Sequence, residues 1–276
     1  MIETASIHPV RVSTSVFEHI VCGIDETPES LEAARQAARL RAPAGSLVLV
    51  AVADVALAAQ AGWAAVRVAE QIWDGCEDAL RRAVALVEPT RYRIVKGRPY
   101  LTLLGQIERE QATLVALGTH EHRRAAGLAF GTVGTTVLRD APCSVLVARP
   151  QPSGGGPPRR IVLGVDGSPQ AARAAAVAQD LEARFDAELR VVTGLGGKPV
   201  DTTVVSELYP EAELDRRPPV DAIVDRSGTA DLLVVGSRGL HGWRALGSVS
   251  ERVAHQASCS VLVVRGLKTA GVPPGG

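Results

Sequence analysis

In the first half of the chain, uninterrupted apolar runs alternate with stretches whose apolar residues return every three or four positions. The runs Ile20–Ile24, Leu47–Ala53, Tyr92–Val95, Leu114–Leu117 and Ser144–Ala148 predict strands. They are continuous rather than alternating, the pattern of strands covered on both faces. A helix is predicted from about Pro28, with Thr27 as N-cap, Pro28 at the first helical position and Glu29 as a first-turn acid. Val66, Ala69, Trp73, Cys76, Leu80, Val84 and Val87 recur at three- and four-residue steps, which predicts one apolar face of a long helix. Pro99–Glu110 and Thr132–Asp140 complete the helices. Strand–helix alternation of this kind predicts the α/β class with a doubly wound, mostly parallel sheet.

The pattern is written twice. "HIVCGIDETP" (19–28) returns as "RIVLGVDGSP" (160–169), "ATLVALGTH" (112–120) as "ADLLVVGSR" (230–238), and "APCSVLVARP" (141–150) as "ASCSVLVVRG" (257–266), in the same order. "RPQPSGGGPPRR" (149–160) is a Pro/Gly-rich tether between them. The expected organisation is a leader (1–16), a first domain (17–149), a linker (150–159), a second domain (160–265) and a tail (266–276). Between Val192 and Pro218 there is room for a short strand near Thr202–Glu207 but not for the long second helix. That half of the sheet is expected to be less covered on one side, unless the other half packs there.

Composition narrows the picture. The chain has 276 residues, 46% apolar and 22% charged, enough for a substantial core. Thirty Lys plus Arg balance thirty Asp plus Glu, without the basic footprint of a dedicated nucleic-acid binder. Arg123-Arg124 and Arg159-Arg160 read as solvated surface. The leader has neither a basic start nor an apolar core, so it does not read as a signal peptide. The apolar stretch Leu47–Val68 is interrupted by Asp54, Gln60 and Gly62, and reads as a strand feeding a helix, not a membrane span. Cys22, Cys76, Cys143 and Cys259 form no CxxC pair, which points to core thiols and a reducing cytoplasm.

Candidate chemistry sits where strands end. In open parallel sheets, ligands bind beyond the carboxyl ends of strands, where strand order reverses. The first strand of each half delivers Asp25 or Asp166 there, and the fourth delivers a Gly-rich loop, in the second half "GSRGLHGWRALGSVS" (236–250). A carboxylate beside backbone donors suits the ribose and phosphates of a nucleotide. Helix capping in a βα turn explains the same aspartates, and both readings stand. "SVSE" (248–251) is a capping box, with Ser248 as N-cap and Glu251 reaching back to its N–H. "GLGGKPV" (194–200) fails as a phosphate loop because Pro199 stands where a hydroxyl must meet magnesium. There is no GxGxxG after a first strand, no HExxH and no GxSxG. His120 and His122 are not read as a metal site. No catalytic residue is nominated, and a weak ATPase is the most that fits.

"IVLGVDGSP", with "ADLLVVGSRGLHGWRALGSVSERVAHQASCSVLVVR", resembles the universal stress protein family in its tandem form. The first half matches through "IVCGIDETPES" and "LVALGTHEHRRAAGLAFGTVGTTVLRDAPCSVLVAR". The resemblance implies two Rossmann-like domains, each with a five-stranded sheet, and pairing through the last strands, either between the halves as an intrachain pseudo-dimer or in a homodimer. It implies ATP, with or without Mg2+, as ligand of a soluble stress-response regulator. The alternative is a tandem scaffold that binds no nucleotide and acts through protein partners. No nucleic-acid or membrane partner is implied. The nucleotide pattern of this family is Gly-x2-Gly-x9-Gly-[Ser/Thr]. The second half keeps Gly236, Gly239, Gly247 and Ser248 with an interval two residues short. The first keeps Gly118, Gly131 and Thr132 but has Glu121 for the second glycine. A side chain there costs about 1–2 kcal/mol if positive φ is needed. A carboxylate about 6 Å from a phosphate charge costs about 3 kcal/mol at an effective dielectric near 20. The candidate nucleotide residues are Gly23, Ile24, Asp25, Glu26, Thr27, Val52, Gly118, His120, Gly131, Thr132 and Val133 in the first half. In the second they are Gly164, Val165, Asp166, Gly167, Ser168, Val192, Gly236, Arg238, Gly239, Gly247, Ser248, Val249 and Ser250.

Overall fold

The computed structural model describes residues 17–119, 131–150, 156–197, 200–237 and 248–266. In the first half these form β1 (Phe17–Ile24), α1 (Pro28–Leu40), β2 (Arg41–Ala53), α2 (Val55–Ala59), α3 (Ala65–Leu86), β3 (Arg91–Lys96), α4 (Pro99–Arg109), β4 (Leu114–Gly118), α5 (Thr132–Asp140) and β5 (Ser144–Ala148). The second half forms β6 (Arg160–Gly164), α6 (Pro169–Phe185), β7 (Glu188–Gly194), α7 (Thr202–Leu208), β8 (Glu213–Asp215), α8 (Pro219–Asp225), β9 (Leu232–Gly236), α9 (Val249–Gln256) and β10 (Ser260–Val264).

The described strands make one ten-stranded sheet in the order β3-β2-β1-β4-β5-β10-β9-β6-β7-β8. Pairing is parallel everywhere except at β5–β10, which is antiparallel, with Leu146 opposite Leu262. All five residues of β5 and of β10 are buried, as their continuous apolar runs require. Strand order reverses between β1 and β4, and again between β6 and β9.

Helices cover both faces. On one, alanines bring helix backbones close to the sheet: Ala33, Ala34 and Ala37 of α1, and Ala171, Ala174, Ala175 and Ala178 of α6, at three- and four-residue steps. Leu103 and Ile107 of α4, Val137 and Leu138 of α5, Val220 and Ile223 of α8, and Val253 of α9 pack the other. Both core clusters run across the two halves. α1 and α6 also meet directly, Arg184 Nη1 donating to the Leu40 carbonyl at 3.4 Å and its Nη2 to the carbonyl of Arg41, which opens β2, at 2.8 Å.

Two expectations are corrected. Thr202–Leu208 is a helix rather than a strand: Asp201 caps it by accepting from Thr203 N at 3.0 Å and Val204 N at 3.3 Å, and Val205 is buried beneath it. α7 and β8 thus occupy the place where the first half has α3 and β3. The long helix forms as predicted, but only its second half lies on the core, through Ala79, Leu80 and Ala83. Val66 and Ala69 are exposed, and with Val55, Leu57 and the 97%-exposed Trp63 they leave an uncovered apolar surface. Cys22, Cys143 and Cys259 are buried thiols, as expected. Of the arginine pairs, Arg159 and Arg160 are exposed, and their backbone N–H groups both donate to Asp231 Oδ2 at 2.9 Å. Arg123-Arg124 lies outside the described residues.

Candidate functional site

At the carboxyl end of β1 the chain turns into α1 through Asp25-Glu26-Thr27. The Thr27 N–H donates to Asp25 Oδ1 at 2.9 Å, and the Thr27 hydroxyl donates to the same oxygen. Thr27 Oγ1 in turn accepts from Ser30 N at 3.3 Å and caps α1. The second half repeats the device. Ser168 N donates to Asp166 Oδ1 at 3.1 Å, and Ser168 Oγ accepts from Ala171 N at 3.2 Å. Both aspartates therefore shape the turn that starts a helix, and both remain exposed at the strand edge.

Between them the two turns differ. Gly167 adopts φ +75°, with Val204 and Val205 of α7 packed beside it. Its counterpart Glu26 sends its carboxylate to α3: a Cβ added at Gly75 would lie 2.0 Å from Glu26 Oε1. Gly75 is thus a notch that admits this side chain. The half-buried Cys76 beside it has its thiol pKa pushed up by burial, then by the Glu26 and Asp25 carboxylates.

Gly118 and Gly236 end β4 and β9. A Cβ at Gly118 would lie 2.4 Å from the Glu29 carbonyl carbon and 2.6 Å from Ser30 N. At Gly236 it would lie 2.4 Å from the Gln170 carbonyl oxygen. Each glycine lets the first turn of α1 or α6 seat against the strand end, which holds the aspartate turn beside that strand end. This is a packing requirement that stands without a ligand.

The remaining predicted residues fall as follows. Gly23 and Gly164 occupy corresponding rungs, and Ile24 and Val165 are buried one position later. Val52 and Val192 do not correspond. Gly23 pairs with Val50 and Gly164 with Val192, so Val52 matches Gly194. Val192 is fully buried two rungs below the edge, and its carbonyl already accepts from Val165 N at 3.0 Å. Gly131 is the N-cap of α5, with Thr132 and Val133 in its first turn and no side-chain cap bond. Ser248 caps α9, its Oγ accepting from Glu251 N at 3.2 Å, with Ser250 Oγ at 3.3 Å and Val249 exposed. The Glu251 carboxylate, expected to complete the capping box, takes Arg139 Nη2 of α5 at 2.8 Å. His120, His122, Glu121, Arg238, Gly239 and Gly247 lie outside the described residues. Among the described residues, no group of three His, Cys, Asp or Glu side chains is placed to hold a metal.

Two residues near Asp166 were not foreseen. Burial, then the Asp166 and Glu211 carboxylates, push the Tyr209 phenol pKa up. Thr193, on β7, is 0% exposed, and its hydroxyl has no hydrogen-bond partner among the described residues. An unpaired buried hydroxyl costs about 1–3 kcal/mol. The signal was a lone polar residue closing the apolar part of "ELRVVTG", on the rung where the first half has Ala51.

The Universal stress protein family model matches residues 17–149, 158–217 and 210–265. Universal stress protein Rv2623 of Mycobacterium tuberculosis is 28% identical over 291 residues, covering 89% of this chain and 96% of that protein. Universal stress protein Rv2005c of the same organism is 30% identical over 184 residues, covering 56% of this chain. In that match the chain spans 62% of the relative's length. A crystal structure of a universal stress protein from Archaeoglobus fulgidus is 18% identical, covers 91% of this chain and 97% of that one, and has a TM-score of 0.71, a likeness of fold. A universal stress protein solved in complex with cAMP is 30% identical and covers 40% of this chain and 98% of that one, at a TM-score of 0.34.

Proposed function

The chain belongs to the universal stress protein family, and from that premise we propose that it is a cytoplasmic stress-response regulator binding adenine nucleotide, ATP, in at least one of its two repeated sites. No described helix is long and apolar enough to cross a membrane. The observation that carries the nucleotide reading is the repeated pairing of an exposed aspartate turn with a glycine strand end. Asp25 stands with Gly118 and Asp166 with Gly236, each pair at a point where strand order reverses. In this reading the carboxylate meets the ribose, the amides at the starts of α5 and α9 meet phosphate, and nucleotide acts as a conformational ligand. The two halves, 17–149 and 160–265, act as an intrachain pseudo-dimer joined by β5 and β10.

Native mass spectrometry of gently purified protein, followed by nucleotide extraction and calorimetry with ATP, tests it. Bound or titratable adenine nucleotide is expected. A protein that is purified empty and shows no heat with ATP would sink the reading. A scaffold that acts through partners is the second reading, favoured by the exposed Val55, Leu57, Trp63 and Val66. ATP affinity that disappears on Asp166→Ala counts against it.

A further inference from the structure

Thr193 lies one rung beyond the Gly164–Val192 pair, level with Val165 and therefore one residue short of Asp166. Side chains alternate along a strand, and Val191 faces the core shared with α6 and α7. Thr193 therefore faces that core too, among Val165, Val205 and Tyr209. Its hydroxyl is fully buried, has no partner among the described residues, and sits in the half where Tyr209 senses the Asp166 carboxylate. Buried hydroxyls are ordinarily paired, so one left unpaired at a strand end beside a candidate site calls for a partner from outside the chain.

We propose that Thr193 is a specificity-determining residue of the second-half site, its hydroxyl reserved for a hydrogen-bonding group of the nucleoside, so that the chain binds nucleotide in its second half. The proposal rests on the nucleotide reading above and names the half that performs it. A hydroxyl both donates and accepts, which suits the amine and ring nitrogens of a base or the hydroxyls of a ribose. The first half cannot match this, because Ala51 occupies the corresponding rung. It also carries Glu26 where the second half has Gly167, and that side chain is turned to Gly75 of α3. Val205, the one buried residue of the short helix α7, belongs to the same core.

Calorimetry and thermal unfolding of the full chain test the proposal with Thr193→Val, which keeps the branched shape, and Thr193→Ser, which keeps the hydroxyl. Native protein is expected to bind one ATP. Thr193→Val should bind ATP and adenosine about tenfold more weakly, the effect of one lost hydrogen bond, while Thr193→Ser stays near native. Affinity for inorganic triphosphate should not change. The unliganded Thr193→Val protein should melt at the native temperature or above, since it loses only an unpaired polar group. 2′,3′-Dideoxy-ATP and purine riboside triphosphate then assign the contact to sugar or base. Unchanged ATP affinity in Thr193→Val, an equal loss for triphosphate, or a lower melting temperature of the free protein overturns the proposal. Two equal sites in native protein overturn the choice of half and leave the nucleotide reading standing. No binding by native protein overturns both.

Discussion

Arg149 and Arg265 reach past each other across the β5–β10 seam, each to the carbonyl end of the other half's last helix. Arg149, 1% exposed, donates from Nη2 to the Ala254 carbonyl at 2.6 Å and from Nη1 to the Cys259 carbonyl at 3.0 Å. Arg265 donates to the Leu138 and Ala141 carbonyls. Their backbone N–H groups are exchanged too, Arg149 N meeting Ser260 Oγ at 3.0 Å and Arg265 N meeting Ser144 Oγ at 3.2 Å. A cation at a helix C-terminus satisfies carbonyls that the helix leaves unpaired and complements its dipole.

Arg149→Ala removes the donors and leaves two buried carbonyls and a hollow. A loss of about 3 kcal/mol is expected, read as a shift of the urea midpoint. Arg265→Ala should cost a similar amount. Because the arginines serve different helices of one seam, the double variant should lose close to the sum.

Gly118→Ala and Gly236→Ala drive a methyl into helix backbone, which cannot move aside as a side chain can. Each should cost about 1–3 kcal/mol by thermal unfolding. Gly228→Ala, with open space around its Cα, is the control and should be near neutral.

Gly75→Ala pushes aside the Glu26 carboxylate, the far end of an exposed side chain, so it should change stability little, the displacement offsetting alanine's helix preference of about 0.5–1 kcal/mol. With the partner shortened, Gly75→Ala in a Glu26→Ala background should stabilise by about that full amount. A double-mutant cycle measures the coupling. Additive effects would show that the notch serves something other than Glu26.

Hydrogen bonds from Arg217, first from its side chain and then from its backbone, and from the Arg226 side chain hold the Asp215 carboxyl well below its usual range. A carboxylate whose folded pKa is depressed adds stability above its unfolded pKa, about 3.9. That contribution fades as pH falls from there towards the lower folded value. Asp215→Asn should flatten the acid side of a stability-against-pH curve below about pH 4 and leave the neutral-pH slope unchanged. An identical acid limb in both proteins would count against the assignment.

Much of this architecture was legible because covered parallel strands leave continuous apolar runs, and the repeat doubled every signal. Thr27 and Ser168 follow from local chemistry, since a cap needs only its own turn. α7 was misread because Thr202, Thr203, Val204 and Val205 favour strands by side-chain shape, whereas Asp201 and the burial of Val205 decide for helix. Val66 and Ala69 continue the apolar period of α3 past the edge of what the helix covers, and periodicity alone does not mark where a sheet ends. Val52 and Val192 both lie in the apolar run of the second strand of their half, but the ladder puts Val50, not Val52, on the rung of Val192, two residues out of step. The Glu26–Gly75 contact joins residues far apart in sequence, and no local pattern announces it.

The antiparallel seam has one more result. Strands that run one way through β1, β4 and β5 run the opposite way through β10, β9 and β6. The Asp25 and Asp166 turns therefore stand on opposite rims of the same sheet, about 16 Å apart along the strands for five residues and about 24 Å apart across the five strand spacings from β1 to β6. A small ligand held at one rim cannot touch the other. What joins the two rims is the β5–β10 seam with its crossed arginines, together with the two cores that run beneath and above it.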